Sequence, residues 1–263
     1  MTYRLLMTGA AGNMGTVLRP RLAREGRIVR LLDIAPVPDP TDTEDVVTAS
    51  VTSMDALVAA CADVDAVLHL GGLSREAPWE DILSVNVDGT RNMLEAARLN
   101  GVRRLILASS NHAVGFYDRS SAPVPATALP RPDTYYGFSK AAMEALGSLY
   151  VDRFDMDVVA VRIGTCFPEP PDARALATWL SPDDAARLVE ACLAAPPFGF
   201  RLIWGVSANT RRWWSLSEAK ELGYEPVDDA EVFADRFAEP DLTTDEHRLI
   251  GGVFCGFPLG ERR

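Results

Sequence analysis

A tyrosine and a lysine stand four positions apart in Tyr136-Gly-Phe-Ser-Lys140. On a helix that spacing projects a phenol and an ammonium from the same face. A neighbouring cation favours the phenolate, so Lys140 would draw the Tyr136 pKa toward working pH and let the tyrosine act as a base. The same spacing is common on solvated helix faces, so the pair acquires chemical meaning only from the rest of the chain.

Far upstream lies Gly9-Ala-Ala-Gly12-Asn13-Met14-Gly15, a glycine-rich turn that follows a strand-like run and opens a helical pattern. Gly9 permits the tight turn, Gly12 lets the backbone approach a pyrophosphate, and Gly15 allows helix and strand to pack closely. The free N–H groups at the start of the helix, around Asn13 and Met14, would face the phosphates. Asp33 follows Gly15 by eighteen positions, where a carboxylate can accept from the adenosine ribose hydroxyls and repel a 2′-phosphate. Neither Ile34 nor Ala35 offers a cation for that phosphate, so NAD is expected rather than NADP. A purely local use of Asp33, as a turn or cap residue, is the competing assignment. Leu70-Gly71-Gly72 ends another apolar run, where small residues would let the nicotinamide end pass close to the backbone. The positive nicotinamide would then join Lys140 in favouring the Tyr136 phenolate.

The elements that must position these groups are legible as an alternation. Residues 3–8, 28–33, 65–70, 104–109 and 157–163 read as strands, and residues 14–25, 54–62, 79–100, 134–154 and 181–194 carry apolar residues at helical spacing. Strands alternating with helices imply βαβ units, hence an α/β, Rossmann-type doubly wound parallel sheet. One domain over 1–263 is expected. From Pro168 the alternation fades into a region with Trp179, Trp204, Trp213 and Trp214, read as a small C-terminal layer on the substrate side. Trp204, Trp213 and Trp214 read as packing residues rather than as a platform for a ligand. Asn86 sits mid-helix, where asparagine is a mediocre helix former, and is expected to satisfy backbone groups of the sheet.

Composition narrows the partners. A formal net charge of -11 disfavours nucleic acid and anionic membrane surfaces, so an anionic substrate must find a local cation. Cys61, Cys166, Cys192 and Cys255 are widely spaced, without metal-ligand spacing to a histidine, so neither a metal nor a disulfide framework is expected. No run reaches the roughly 18 apolar residues of a membrane span, and the N-terminus shows no signal-peptide core. A cytoplasmic protein is expected, and a homo-oligomer, as an isologous helix-mediated dimer, suits the fold.

The glycine turn, Asp33, Asn86 and the Tyr136/Lys140 pair occur in the order found in the extended short-chain dehydrogenase/reductases, which this chain resembles. Within that superfamily it is similar to the uronate dehydrogenases. The segments carrying this closer match are His69-Leu-Gly-Gly-Leu-Ser74, Ala108-Ser-Ser-Asn-His112, Arg162-Ile-Gly-Thr-Cys-Phe-Pro-Glu-Pro170, Arg174 with Thr178-Trp179, and Trp204-Gly-Val-Ser-Ala-Asn209. The resemblance implies oxidation of D-galacturonate or D-glucuronate at C1 by NAD, giving the aldarolactone. It implies that Ser74, Asn111, His112, Thr165 and Arg174 line the sugar pocket, with Arg174 clamping the C6 carboxylate, and that Cys166 touches the cofactor. Thr165 replaces a serine common in relatives, and Ser50-Val51 stands where relatives commonly place Asp-Leu beside the adenine. The family's catalytic serine falls in register with Asn111, with Ser110 immediately before it; either could polarise the reacting oxygen. The competing functions are a nucleotide-sugar epimerase or dehydratase and a non-catalytic NAD sensor. The short stretch after Lys140 speaks against the first and the intact pair against the second.

Overall fold

The computed structural model describes residues 2–238 and 243–262. Seven strands, β1 (Tyr3–Thr8), β2 (Arg27–Asp33), β3 (Glu44–Thr48), β4 (Ala66–His69), β5 (Arg104–Ser110), β6 (Asp157–Ile163) and β7 (Phe200–Gly205), form one sheet in the order β3-β2-β1-β4-β5-β6-β7. Every neighbouring pair is parallel. All seven strands therefore end on one edge, and the order reverses between β1 and β4, where doubly wound sheets bind their ligands.

The helices include α1 (Asn13–Leu22), α2 (Met54–Ala60), α3 (Trp79–Asp81), α4 (Gly89–Leu99), α5 (Tyr135–Phe154), α6 (Ala175–Thr178) and α7 (Pro182–Ala194). Successive strand side chains point to opposite faces, and the two cores follow that period. Leu5, Met7 and Leu31 pack with Leu18 and Leu22 of α1 and Leu188 and Val189 of α7. Leu6, Leu105 and Leu107 pack on the other face with Leu57 of α2, Met93 and Leu94 of α4 and Met143 of α5. Trp204 and Trp214 stack in the interior with centroids 4.3 Å apart, in keeping with a packing role.

Two strands are additional to those predicted. β3 is a five-residue edge strand with two leading acids and a half-exposed pattern, so it lacks the apolar run that marks a buried parallel strand. β7 pairs with β6, and α7 precedes it, so the alternation continues well past Pro168 before giving way to loops. The helix predicted over 79–100 is continuous but contains a π-helical segment, Ile82–Asp88, between α3 and α4.

The proline-rich connection before α5 is fixed by a buried ion pair. Arg162 on β6 meets both oxygens of Glu144 on α5, at 2.9 and 2.8 Å, and donates to the carbonyls of Ala126 and Ala128. Ser109 donates to the same carboxylate. With its lone pairs and donors satisfied, the pair orients the loop that leads to Tyr136.

Candidate active site

At the switch point, Gly9 adopts φ +70°, and a Cβ there would lie 2.7 Å from the Leu70 backbone. A Cβ on Gly15 would overlap the carbonyl of Gly9. These two positions require glycine for close approach between the turn, α1 and β4. The N-cap of α1 is Gly12, with no side-chain cap and no acid in the first turn. Its leading amides therefore suit an anionic pyrophosphate. The Asp33 carboxylate accepts from Ala11 N and Ala35 N, both at 2.9 Å. It serves both local turns, yet each half-bonded oxygen retains capacity to accept a ribose hydroxyl. Ile34 beside it is 72% exposed, an apolar surface at the mouth of the crevice.

Met14 and Leu70 line a small apolar pocket together with Ala108 and Ile163. Gly71 donates its N–H to Thr8 Oγ1, which also meets His69 Nδ1 at 2.7 Å. Burial pushes the His69 imidazolium down to about 3, so the ring stays neutral beneath the turn. Gly72 follows, exposed, at the start of the loop. The Ser50 hydroxyl is turned to Thr52 at 2.8 Å, and buried Val51 packs behind Gly71 and Gly89. Cys166 is half-buried on the loop leaving β6, in the same cluster as Met14. The residues at the switch point thus fit a dinucleotide, with the Ser50 hydroxyl turned to its own turn and Val51 packed behind Gly71.

Removing the Asp33 carboxylate should weaken this grip. Asp33→Ala is expected to raise the Kd for NAD about tenfold, a loss on the order of one charge-assisted hydrogen bond. It should also narrow the preference for NAD over NADP. Cofactor titration followed by fluorescence measures both, and unchanged affinities would show that Asp33 serves only its turns.

Tyr136 and Lys140 occupy the start of α5. Thr134 caps this helix by accepting from Gly137 N at 3.0 Å, and buried Glu76 accepts from Tyr136 N at 2.9 Å. Lys140 Nζ lies 5.4 Å from the Tyr136 ring centre and donates to the Ala108 carbonyl at the end of β5. Asn86, from the π segment, bonds both backbone groups of Leu73 and donates to Ser139 Oγ. The groups it satisfies belong to the loop after β4 and to α5, not to the sheet. It thereby ties the glycine turn to the helix carrying the pair.

Within the chain alone, burial acts on both groups. Burial pushes Tyr136 up to about 12, with Asp133 adding to the rise and a hydrogen bond with Ser110 opposing it. Burial brings Lys140 down to about 8, against the pull of Glu144. Desolvation dominates in the chain alone, and positive charge brought by a cofactor would favour the phenolate.

Ser110 and Asn111 divide their tasks. Ser110 helps hold the phenol pKa down and its hydroxyl donates to Asn111 Oδ1 at 3.4 Å, whereas Asn111 Nδ2 donates to the Ile250 carbonyl at 3.0 Å. Arg174 Nη2 donates to that same carbonyl, so the amide and the guanidinium converge on one oxygen. Arg174 also lies over the Trp213 ring at 5.3 Å, has an unpartnered Nε, and makes no ion pair among the described residues. His112 contacts Tyr136 edge-on, with centroids 5.6 Å apart, and stacks on Phe254. Asn111, His112, Tyr136 and Arg174 are thus brought together. Thr165 and Ser74 lie on flanking loops, Thr165 bonded to Thr178 Oγ1 at 2.8 Å and Ser74 exposed.

Asp133, Glu76, Phe254 and the Ile250 carbonyl also belong to this site and escaped the sequence reading. Glu76 holds the C-terminal segment as well, accepting from Gly260 N at 2.8 Å.

The model of the NAD dependent epimerase/dehydratase family matches residues 5–205. The chain belongs to that family. Uronate dehydrogenase of Pseudomonas syringae pv. tomato is 43% identical over 264 residues, covering 98% of this chain and 96% of that protein. The crystal structure of uronate dehydrogenase from Agrobacterium tumefaciens superposes with a TM-score of 0.93 at 41% identity, covering 98% of each chain. A mutant of that enzyme complexed with NAD gives the same TM-score at 40% identity, again covering 98% of each chain. The Rossmann-type parallel sheet is shared by these structures. Among the described residues no helix is long and apolar enough to cross a membrane.

Proposed function

We propose that this protein oxidises hexuronic acids, D-galacturonate or D-glucuronate, at C1 to the aldarolactone, using NAD. The observation that carries the choice of substrate is Arg174, a guanidinium without a carboxylate partner among the described residues. It converges with Asn111 on one oxygen, next to the serine that helps hold the Tyr136 phenol pKa down. In an acidic chain such a cation suits the planar C6 carboxylate of a uronic acid, which it can bind bidentately.

When bound, NAD would supply the acceptor for the C1 hydride and positive charge that favours the phenolate. Tyr136 takes the proton of the anomeric hydroxyl while Ser110 donates to the same oxygen. Lys140, anchored on the Ala108 carbonyl, holds positive charge near the phenolate. The C1–O bond becomes a carbonyl as C1 loses its hydrogen, and the ring oxygen makes it a lactone, with no metal or water consumed. Asn111 serves the substrate rather than the phenol, and Thr165 and Ser74 complete the walls.

A panel of galacturonate, glucuronate, a neutral aldose and a UDP-sugar, each with NAD and NADP, tests this reading. NADH is expected from the two uronates; turnover of the UDP-sugar alone would sink it. The reading extends to an isologous dimer, since Leu99 on α4 and Leu149 and Phe154 on α5 are exposed, and light scattering reads that state. It also implies a reducing cytoplasm, as all four cysteines are free.

A further inference from the structure

Asp133 immediately precedes the cap of α5 and is not needed there: Thr134 accepts from Gly137 N, and Glu76 accepts from Tyr136 N. Its side chain is fully buried. One oxygen accepts from Thr134 Oγ1 at 2.9 Å, and the other lies 2.7 Å from His112 Nδ1. A Cβ on Gly115 or Gly251 would overlap this carboxylate, and one on Gly137 would come within 2.8 Å of it. Two loops and the first turn of α5 close around Asp133 only because those positions are glycine, so the carboxylate cannot swing aside. The imidazole is held equally firmly, stacked on Phe254 at 3.9 Å and in edge contact with Tyr136.

A carboxylate accepts only, so the neutral ring must carry its proton on Nδ1, leaving the lone pair on Nε2. Nε2 of His112 meets no protein partner among the described residues and, unlike Nε2 of His69, is not sealed away from solvent. We propose that Asp133 is a positioning residue: by taking the Nδ1 proton of His112, it presents Nε2 as an acceptor to the sugar hydroxyl next to the reacting carbon. The hydroxyl half of this inference rests on the uronate reading above. Tyr136 takes the C1 hydroxyl, and the ring touching Tyr136 is placed for the vicinal hydroxyl on C2.

Nitrogen NMR of the imidazoles tests the first half without turnover, and with only three histidines in the chain the assignment needs one His112 variant. At a pH of about 9, where an ordinary imidazole is neutral, wild-type His112 should show protonated Nδ1 and bare Nε2. Asp133→Asn offers an amide that accepts or donates, so the two tautomers should mix. The uronate KM should rise about 3–10-fold, as expected for one neutral hydrogen bond. For the 2-deoxy uronate, wild type and variant should have the same KM. A wild-type His112 protonated on Nε2 overturns the proposal, as does a variant with unchanged tautomer and KM, or an equal loss on the 2-deoxy substrate. The wild-type spectrum decides even where the variant fails to fold. Bare Nε2 in a protein that oxidises no uronate confirms the setting of His112 and overturns only the sugar.

Discussion

Tyr136→Phe is expected to lower kcat by roughly 10²–10⁴-fold, the range for losing a positioned acid–base group. NAD affinity should stay within about twofold, a few tenths of a kcal/mol. The substitution removes one hydroxyl and keeps the ring that packs against His112 and Phe254. The backbone bond to Glu76 and the cap at Thr134 are also retained, so α5 should begin where it does now. The pH profile gives a second reading. Burial holds the phenol up at about 12 in the chain alone, so wild-type kcat should climb as pH rises toward the lowered pKa of the loaded complex. The residual rate of the variant should lose that limb. Stopped-flow turnover with cofactor titration separates these effects. An equal collapse of NAD binding, or an unchanged pH profile, would count against Tyr136 as the base.

What the sequence made legible is what lies close together along the chain. Tyr136 and Lys140 are one helical turn apart, and the glycine turn sits directly between β1 and α1, so spacing alone specifies their geometry. The central strands were equally visible, being buried on both faces and therefore apolar over most of their length. β3 was not, because an edge strand with exposed acids has the composition of a loop. Nor were the partners that complete the site. Glu76 meets Tyr136 across 60 positions, and the Ile250 carbonyl meets Asn111 across 139. A backbone carbonyl carries no residue-type signal at all. Asp133 had a local signal, standing next to the capping threonine, but in that place a buried histidine partner and a helix cap look alike in sequence. The height of the phenol pKa in the chain alone was hidden for a related reason. Spacing records charge and is silent on burial, and in this pocket burial is the larger effect.

Arg174 is where the substrate assignment is most exposed. Arg174→Ala is expected to cut kcat/KM for uronates by about 2–5 kcal/mol, or roughly 30-fold to several thousand-fold, the cost of stripping a buried charge of its partner. Neutral aldoses should lose far less, because they bring no carboxylate. Arg174 begins α6, and its side chain rests on Trp213 and against Gly252, so truncation also removes packing. Arg174→Lys separates the two contributions. It keeps a cation and much of the apolar stem but offers a point charge in place of the planar fork, so it should recover only part of the uronate rate. The Ile250 carbonyl sharpens this expectation. It now accepts from Arg174 and Asn111 together, and a bound carboxylate, with more lone pairs and a full charge, is the stronger acceptor for the guanidinium. Uronate binding is therefore expected to shift Arg174 from the carbonyl of the C-terminal segment to the substrate. Uronate should then alter amide hydrogen exchange around residues 249–252, and neutral sugars should not. Uronate kinetics unchanged in both Arg174 variants would remove this residue from the pocket and with it the reason for preferring an acid sugar.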